Sequence, residues 1–269
     1  MAERLFLRLD DDPLHGPESS VPAGTLRALP VGAALRGHVS HILRYRERFA
    51  DGHEVRERVL PDGAVRLVFN FGDAPTADEG EGQGQPVEAI GASALPVVVR
   101  MRRQVDGISV TLRPGAAAAL LGLPAGDIGG SALHLDALWH GEGARLLERM
   151  AEAPGDAARV ALLHTALQRR LDGCEPAGSA IALHAARRIA AADGRERLRD
   201  VAAAVGVGER RLQQLFHAHV GLTPAWAEVA LDGGFYDQSH LVNEFRALCG
   251  VTPTEFLGRA IAGSSKTAG

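Results

Sequence analysis

The chain has 269 residues, 46% of them hydrophobic, and a net charge of −4. This length is sufficient for two domains, and no apolar run approaches the roughly 20 residues that span a bilayer. The acidic start MAERLFLRLDDD lacks a basic segment followed by an apolar stretch, so secretion is not expected. Cys174 and Cys249 form no C-x-x-C pair, which indicates a reducing compartment. We therefore expect a cytoplasmic protein with no membrane contact.

The first part of the chain has the pattern of short β-strands. Apolar and charged side chains alternate in short runs, and Pro61-Asp62-Gly63 is a turn signal between two of them. The predicted strands are His38–Arg46, Glu54–Leu60, Val65–Phe71, Val87–Ala92, Val97–Gln104 and Ile108–Leu112. The stretch 72–86 is rich in Gly, Glu and Gln and predicts a loop. Strands at this spacing favour a small barrel or sandwich.

After Arg113-Pro114-Gly115 the pattern becomes helical. The predicted helices up to residue 172 are Ala116–Leu121, Asp136–Trp139, Glu142–Ala153 and Asp156–Leu171. The last has an apolar stripe that consists of Leu162, Leu163, Ala166, Leu167 and Arg170. A cluster of helix-breaking residues, DGCEPAGS, follows at 172–179. We predict an α+β fold with a β-rich domain over 1–172, a linker over 173–179 and an all-helical domain over 180–262.

Three helices are predicted at the start of the second domain. Ala180–Ala192 and Arg197–Val205 each have apolar residues at helical spacing. Glu209–Val220 repeats this pattern, and its predicted buried side chains are Leu212, Leu215, Phe216 and Val220.

Residues 212–224 and 241–253 are two copies of one pattern, offset by 29 positions. The matching pairs are Leu212 and Leu241, Phe216 and Phe245, Gly221 and Gly250, Thr223 and Thr252, and Pro224 and Pro253. Each copy follows a short helical segment and a turn, which is the pattern of a helix-turn-helix. Two such units predict a protein that contacts two successive stretches of major groove.

The C-terminal stretch resembles the DNA-binding domain of AraC-type transcriptional regulators. The matching segments are RLRDVAAAVGVGERRLQQLFHAHVGLTP and WAEVALDGGFYDQSHLVNEFRALCGVTPTEF. The N-terminal part resembles the sensor-like domain that precedes this module in uncharacterised regulators, through LPDGAVRLVFNFGD, LRPGAAAALLG and LDALW. The resemblance implies a transcriptional regulator that binds double-stranded DNA and has no enzymatic activity. Its N-terminal domain would sense a small molecule or form a homodimer.

The resemblance also implies which side chains contact DNA. In the first motif the positions facing away from the predicted core are Arg210, Gln213, Gln214 and His217. In the second motif they are Gln238, Ser239, Val242, Asn243 and Arg246. Arg and Gln make bidentate contacts to guanine and adenine edges. The alternative is that these side chains form only a solvated helix face.

The spacing of the two motifs departs from the family. There a connecting helix of about 20 residues, spanning about 30 Å, separates the motifs, whereas here Pro224 leads directly into Trp226. Residues 178–269 carry 10 basic and 9 acidic residues, a weak basic excess for a DNA-binding domain. We expect the segment 226–257 to be less stable than the first unit. The alternative function is therefore a ligand- or protein-binding regulator with impaired DNA contact.

Other chemistry is not supported by residue spacing. His217 and His219 are two apart on a predicted helix and face different directions, so they cannot chelate a metal together. The loop GEGQGQP lacks the Lys-Ser/Thr of a phosphate-binding loop. No G-x-S-x-G motif is present. We expect no metal and no cofactor.

Overall fold

The computed structural model describes residues 4–6, 24–59, 63–77, 84–93, 95–171, 178–191 and 196–222. The strands in these ranges are β1 Arg4–Phe6, β2 Leu26–Leu29, β3 Val39–Arg48, β4 Glu54–Val59, β5 Arg66–Asn70, β6 Thr76–Ala77, β7 Val87–Ile90, β8 Val97–Arg102, β9 Gln104–Leu112 and β10 Ala132–His134. The helices are α1 Ala117–Leu121, α2 Asp136–Trp139, α3 Glu142–Glu152, α4 Asp156–Leu171, α5 Ser179–Ala191, α6 Leu198–Ala204 and α7 Glu209–Val220. Two 3-10 helices lie at Ala33–Leu35 and Ala125–Ile128. No helix of the described ranges is both long and apolar enough to cross a membrane.

The strands form two sheets. The larger sheet has six strands in the order β10-β7-β5-β9-β3-β2, and every neighbouring pair is antiparallel. The smaller sheet has the order β1-β4-β8-β6, with β1 parallel to β4 and the other pairs antiparallel. The prediction of a β-rich N-terminal part is therefore confirmed.

The larger sheet lies between the smaller sheet and the helices. Ile42 of β3, Phe69 of β5 and Ile108 of β9 belong to the main core, which also contains Trp139 and Leu163 from the helices. Because successive strand residues face opposite sides, the neighbours of these residues face the smaller sheet. There Tyr45 and Val105 pack with Val55, Val99 and Met101 of the smaller sheet. Alternate residues of one strand therefore contact the helices on one side and the smaller sheet on the other.

A buried charge network joins the larger sheet to α4. Arg44 of β3 is 6% exposed and forms ion pairs with Asp106 of β9 and Asp156 of α4. Its Nη1 also donates a hydrogen bond to the Gly107 carbonyl oxygen at 2.9 Å. The guanidinium groups of Arg44 and Arg159 lie 5.4 and 4.6 Å from the centre of the Phe71 ring. The network therefore links α4 to the larger sheet through charged groups that are largely removed from water.

Several elements differ from the sequence prediction. Strand β10 lies after Pro114, where helices were predicted, and pairs with β7. Strand β6 lies within the predicted loop 72–86, and β1 and β2 were not predicted. These strands have two to four residues, too few for alternation to be recognised. Strand β9 begins at Gln104, four residues before the predicted start, because Gln104 pairs with Arg48 of β3.

The helix predictions agree closely with the structure, although the stripe of α4 is shifted. Its buried residues are Val160, Leu163 and Leu167, whereas Leu162 and Ala166 are half-buried. Ser179, placed in the linker by the sequence, is the first residue of α5. The proposed domain boundary remains a prediction. The second motif and the break after Pro224 lie outside the described residues, so the tandem arrangement also remains a prediction.

Candidate nucleic-acid interface

Helices α5, α6 and α7 form a three-helix unit with its own apolar core. Ala185 and Ile189 of α5, Val201 of α6, and Leu212 and Phe216 of α7 are at most 1% exposed and pack together. The spacing of these residues along each helix is that of one buried face. Two helices cannot enclose a core by themselves, and α5 is the third helix that completes this one.

The turn between α6 and α7 and the end of α7 both depend on glycine. Gly206 has φ +75° in the turn, and Gly221 has φ +87° at the C-terminal cap of α7. The Gly221 N–H donates to the carbonyl oxygens of Phe216 and His217. Such left-handed positions favour glycine because other residues meet a steric penalty there. These two glycines therefore fit the turn before α7 and the C-terminal end of α7.

The outer face of α7 carries the side chains of the first motif that were predicted to contact DNA. Arg210, Gln213, Gln214 and His217 are all exposed, while Leu215 on the opposite side is 3% exposed. The first three lie on the open N-terminal half of the helix, whereas His217 lies beside Gly126 of the N-terminal domain. The predicted contact residues of the second motif lie outside the described residues: Gln238, Ser239, Val242, Asn243 and Arg246.

Additional exposed cations lie at the start of α6 and on α7 itself. Arg197, Arg199 and Arg211 are exposed, and Arg199 is within 3.4 Å of Asp200. Arg188 of α5 forms an ion pair with Glu196 at 2.5 Å, which joins α5 to the segment before α6 and raises the pKa of Arg188. The sequence analysis did not select Arg197, Arg199 or Arg211, although their charge makes them suited to phosphate contacts.

The three-helix unit is held against the N-terminal domain by hydrogen bonds to backbone carbonyl oxygens and by apolar packing. The Gly115 N–H donates to the His219 carbonyl oxygen at 2.9 Å, and the Ser179 hydroxyl donates to the Gly115 carbonyl oxygen at 2.8 Å. Leu222 packs against the main core of the N-terminal domain. The C-terminal end of α7 is thus part of this junction, whereas its N-terminal half is open.

A set of polar side chains lies on the face of the larger sheet that is turned toward the smaller sheet. The Tyr45 hydroxyl donates to Asn70 Oδ1 at 2.5 Å, and Asn70 Nδ2 donates to the Gln85 carbonyl oxygen at 2.8 Å. The Gln85 N–H donates to Glu88 Oε1 at 2.9 Å. Gly107 allows the Tyr45 ring to lie directly on β9, since any side chain there would overlap the ring. Sequence analysis missed this set because Tyr45, Asn70 and Glu88 come from three separate strands.

Burial favours the uncharged forms of two of these groups, the Tyr45 hydroxyl and the Glu88 carboxyl. It raises the pKa of the Tyr45 hydroxyl, and the negative charge of Glu88 adds to that shift. It also raises the pKa of the Glu88 carboxyl, while the hydrogen bond from Gln85 and the nearby His134 act in the opposite direction. The protonated carboxyl is therefore favoured by the folded protein.

We expect Glu88→Gln to change how stability depends on pH. A carboxyl whose pKa is raised by folding binds protons more tightly in the folded state. Its contribution is therefore greatest below the unfolded pKa, near 4.5, and is lost as pH rises through the folded pKa. The glutamine side chain at position 88 can still accept the hydrogen bond from the Gln85 N–H, and it carries no charge. Urea unfolding between pH 4 and pH 7 should show a smaller loss of stability for the variant than for the original chain, and identical profiles would contradict this.

Part of the N-terminal domain matches a known protein family. Residues 28–134 match the model of a domain of unknown function, DUF6597. No curated protein matches the chain. Among solved structures, the crystal structure of the AraC-like transcriptional activator CuxR is similar, with a TM-score of 0.32 and 16% sequence identity. The similarity covers 71% of this chain and 79% of that one.

Proposed function

We propose that this chain is a sequence-specific DNA-binding transcriptional regulator of the AraC type. In this proposal α7 enters the major groove, and the N-terminal domain senses a small molecule or mediates dimerisation. The observation that carries the proposal is the face of α7, where Arg210, Gln213 and Gln214 are exposed above a fully buried apolar face. A recognition helix needs this combination of a rigid core side and free hydrogen-bonding side chains.

The open half of α7 suits base contact by both position and chemistry. In helix-turn-helix proteins the N-terminal residues of the recognition helix contact base edges, and Arg210, Gln213 and Gln214 lie in the first half of α7. Arginine pairs with guanine and glutamine with adenine through two hydrogen bonds each. The exposed arginines of α6 and its preceding turn lie next to this helix in the chain, where they suit contact with the DNA backbone.

The sensing role is assigned in this proposal to the buried polar side chains between the two sheets. Asn70 and Thr111 are 4% and 3% exposed, and Thr111 Oγ1 lies 3.0 Å from His41 Nε2. Glu57, which faces the same region from β4, is 5% exposed. A few directed polar groups among apolar side chains are typical of small-molecule sites.

We expect Arg210→Ala to reduce discrimination between duplexes more than it reduces overall binding. A preferred duplex would first be selected with the full chain from a library of random 30-base-pair DNA. Loss of one bidentate contact should cost about 1–3 kcal/mol on the preferred duplex and less on a duplex mismatched at the contacted base. Fluorescence anisotropy titrations at a fixed salt concentration measure both affinities.

The matched control is Arg145→Ala, because Arg145 is an exposed arginine on α3 in the N-terminal domain. It removes the same charge from a surface that has no role in the proposal. Equal losses on both duplexes for Arg210→Ala would limit Arg210 to phosphate contact.

The second candidate is a ligand- or protein-binding regulator with impaired DNA contact. It is favoured by the near-neutral charge of residues 178–269 and by the absence of a connecting segment after Pro224. Failure to enrich any sequence from the random library would favour this candidate. Enrichment of a defined sequence would exclude it.

A further inference from the structure

We propose that the charged groups between the larger sheet and the start of α4 form a binding site for a phosphate group, carried by a small molecule or free. This arginine network has six members, four from the sheet and two from α4: Arg27, Arg44, Arg46, Asp106, Asp156 and Arg159. It lies on the helix side of the larger sheet, opposite the polar set between the sheets. The inference goes beyond the proposed function, because it does not require α7 to contact DNA.

Strand pairing brings the four sheet residues of the arginine network together. Arg27 of β2 is the register partner of Arg44 in β3, and Asp106 of β9 is the register partner of Arg46 in β3. Register partners point to the same face of a sheet, and residues two positions apart on one strand do so as well. Asp156, the first residue of α4, lies 3.3 Å from Arg44 Nε through its Oδ1. The cations therefore converge from two strands and one helix.

The cations of the arginine network outnumber its anions. Asp156 forms ion pairs with three of the arginines, and Asp106 forms ion pairs with two. Within the ranges that the structure describes, no other carboxylate is paired with any of the four arginines. Four guanidinium groups thus share two carboxylates, and two positive charges remain uncompensated.

Part of this excess charge is removed from water. The side chains of Arg44 and Arg159 are only 7% and 18% exposed. Burial lowers the pKa of Arg159, and the positive charge of Arg44 lowers it further, while Asp106 acts in the opposite direction. Like charges that are held close together in a poorly solvated place repel each other. An anion placed among them would therefore be attracted by several cations at once.

The arginine network has a buried side and an exposed side. The guanidinium groups of Arg44 and Arg159 lie on the buried side, against the ring of Phe71. The side chains of Arg27 and Arg46 are 63% and 70% exposed. Solvent reaches the network from the side of these two arginines, so a small anion has a path to it.

A phosphate group suits this site by charge and by geometry. At neutral pH a phosphate monoester carries about two negative charges, which equals the uncompensated charge of the network, whereas a carboxylate carries only one. A guanidinium group presents its N–H donors in a planar fork that pairs with two oxygens of one phosphate. Arginine also stays protonated at neutral pH, so the site remains cationic.

The first experiment measures phosphate binding to the full chain by isothermal titration calorimetry. Inorganic phosphate and methyl phosphate are titrated separately at neutral pH, and sodium chloride keeps the ionic strength constant. We expect saturable binding of one anion per chain. Tighter binding of methyl phosphate would assign the site to a phosphate monoester, and equal or tighter binding of inorganic phosphate would assign it to free phosphate.

The second experiment removes the exposed cations of the network. Arg27→Gln and Arg46→Gln should each weaken phosphate binding by about tenfold, the loss of one charge-assisted hydrogen bond. Exposed ion pairs contribute little to stability, so both variants should fold, and circular dichroism checks this. The matched control is Arg36→Gln, because Arg36 is an exposed arginine at the opposite end of β3 from Arg46. It removes the same charge and should leave the affinity unchanged.

A third variant should change the affinity in the other direction. Asp156→Asn removes the carboxylate that three of the guanidinium groups share, while the amide oxygen can still accept hydrogen bonds. Because the positive excess then increases by one, we expect phosphate to bind several-fold more tightly at low salt and to gain less at high salt. A network that serves only to hold α4 in place would show no such gain.

The outcomes distinguish a phosphate site from a purely structural network. Saturable binding that both Arg27→Gln and Arg46→Gln weaken, and that Arg36→Gln leaves unchanged, supports the inference. Saturable binding that neither of the first two variants weakens places the anion elsewhere and overturns it. Phosphate also stabilises proteins in general by exclusion from their surface, so a rise in melting temperature without saturable binding overturns the inference as well.

A competition experiment separates the phosphate site from a DNA contact. Random-sequence 30-base-pair DNA is added to the chain with phosphate bound, and we expect the phosphate to stay bound. Displacement by the duplex would overturn the inference and assign this surface to the DNA backbone instead. The random-library selection of the original chain tests the proposed function by itself, so either proposal can fail while the other stands.

Discussion

Replacing Phe216 by alanine should destabilise the α5–α7 unit by about 3–5 kcal/mol, the usual cost of removing a buried phenylalanine. The Phe216 side chain is 0% exposed and packs against residues of α5 and α6. Its removal leaves a cavity in a core of only three helices, two of which have fewer than 13 residues. Urea unfolding followed by far-ultraviolet circular dichroism, with amide exchange in α7, measures the loss.

The matched control for this prediction is Leu95→Ala, because Leu95 is an apolar side chain that is 71% exposed. It should change the unfolding free energy by no more than about 0.5 kcal/mol. A loss below about 1 kcal/mol for Phe216→Ala would mean that the three helices do not form the compact core described here.

We expect Asp106→Ala to cost about 3–5 kcal/mol of unfolding free energy, because it leaves a buried cation without one of its partners. Arg44 is 6% exposed and Asp106 is 8% exposed, so water cannot replace the lost carboxylate fully. Asp156 remains as a second partner at 3.3 Å from Arg44 Nε, which places the expected cost at the lower end of this range. Thermal and urea unfolding of the full chain measure the change.

Asp51→Ala provides the control, since it removes an exposed carboxylate from a turn. The double variant Arg44→Met, Asp106→Ala should recover part of the lost stability, because no unpaired buried charge remains. This account would be contradicted if adding Arg44→Met to Asp106→Ala lowered the free energy of unfolding further, by as much as a core substitution usually costs. In that case the arginine would stabilise the fold through packing on Phe71 instead.

The helices were more predictable from the sequence alone than the short strands. The bounds of α2, α4 and α7 agree with the predictions to the residue. The four predicted core side chains of α7 are buried as well. Helical spacing and glycine caps are local signals, so no distant partner is needed to interpret them.

The short strands were not predictable in this way. Strand β10 has three residues and is a strand because Ala132 and His134 pair with Ile90 and Glu88 of β7. The extra residues of β9 likewise belong to the sheet because β3 lies opposite them. A strand of this kind is defined by its neighbour, and sequence alternation over two to four residues carries too little information.

For the candidate site, the sequence by itself determined the outward side chains of α7 and the buried face beneath them. Both follow from 3.6-residue periodicity, which is set within one helix. Only the tertiary structure decided that Tyr45, Asn70 and Glu88 share one face, and that Gly126 lies against His217. Apart from the local hydrogen bond between Gln85 and Glu88, those contacts join residues 15 or more positions apart. Such long-range pairings depend on how the sheets and helices pack together, a property that no local pattern encodes.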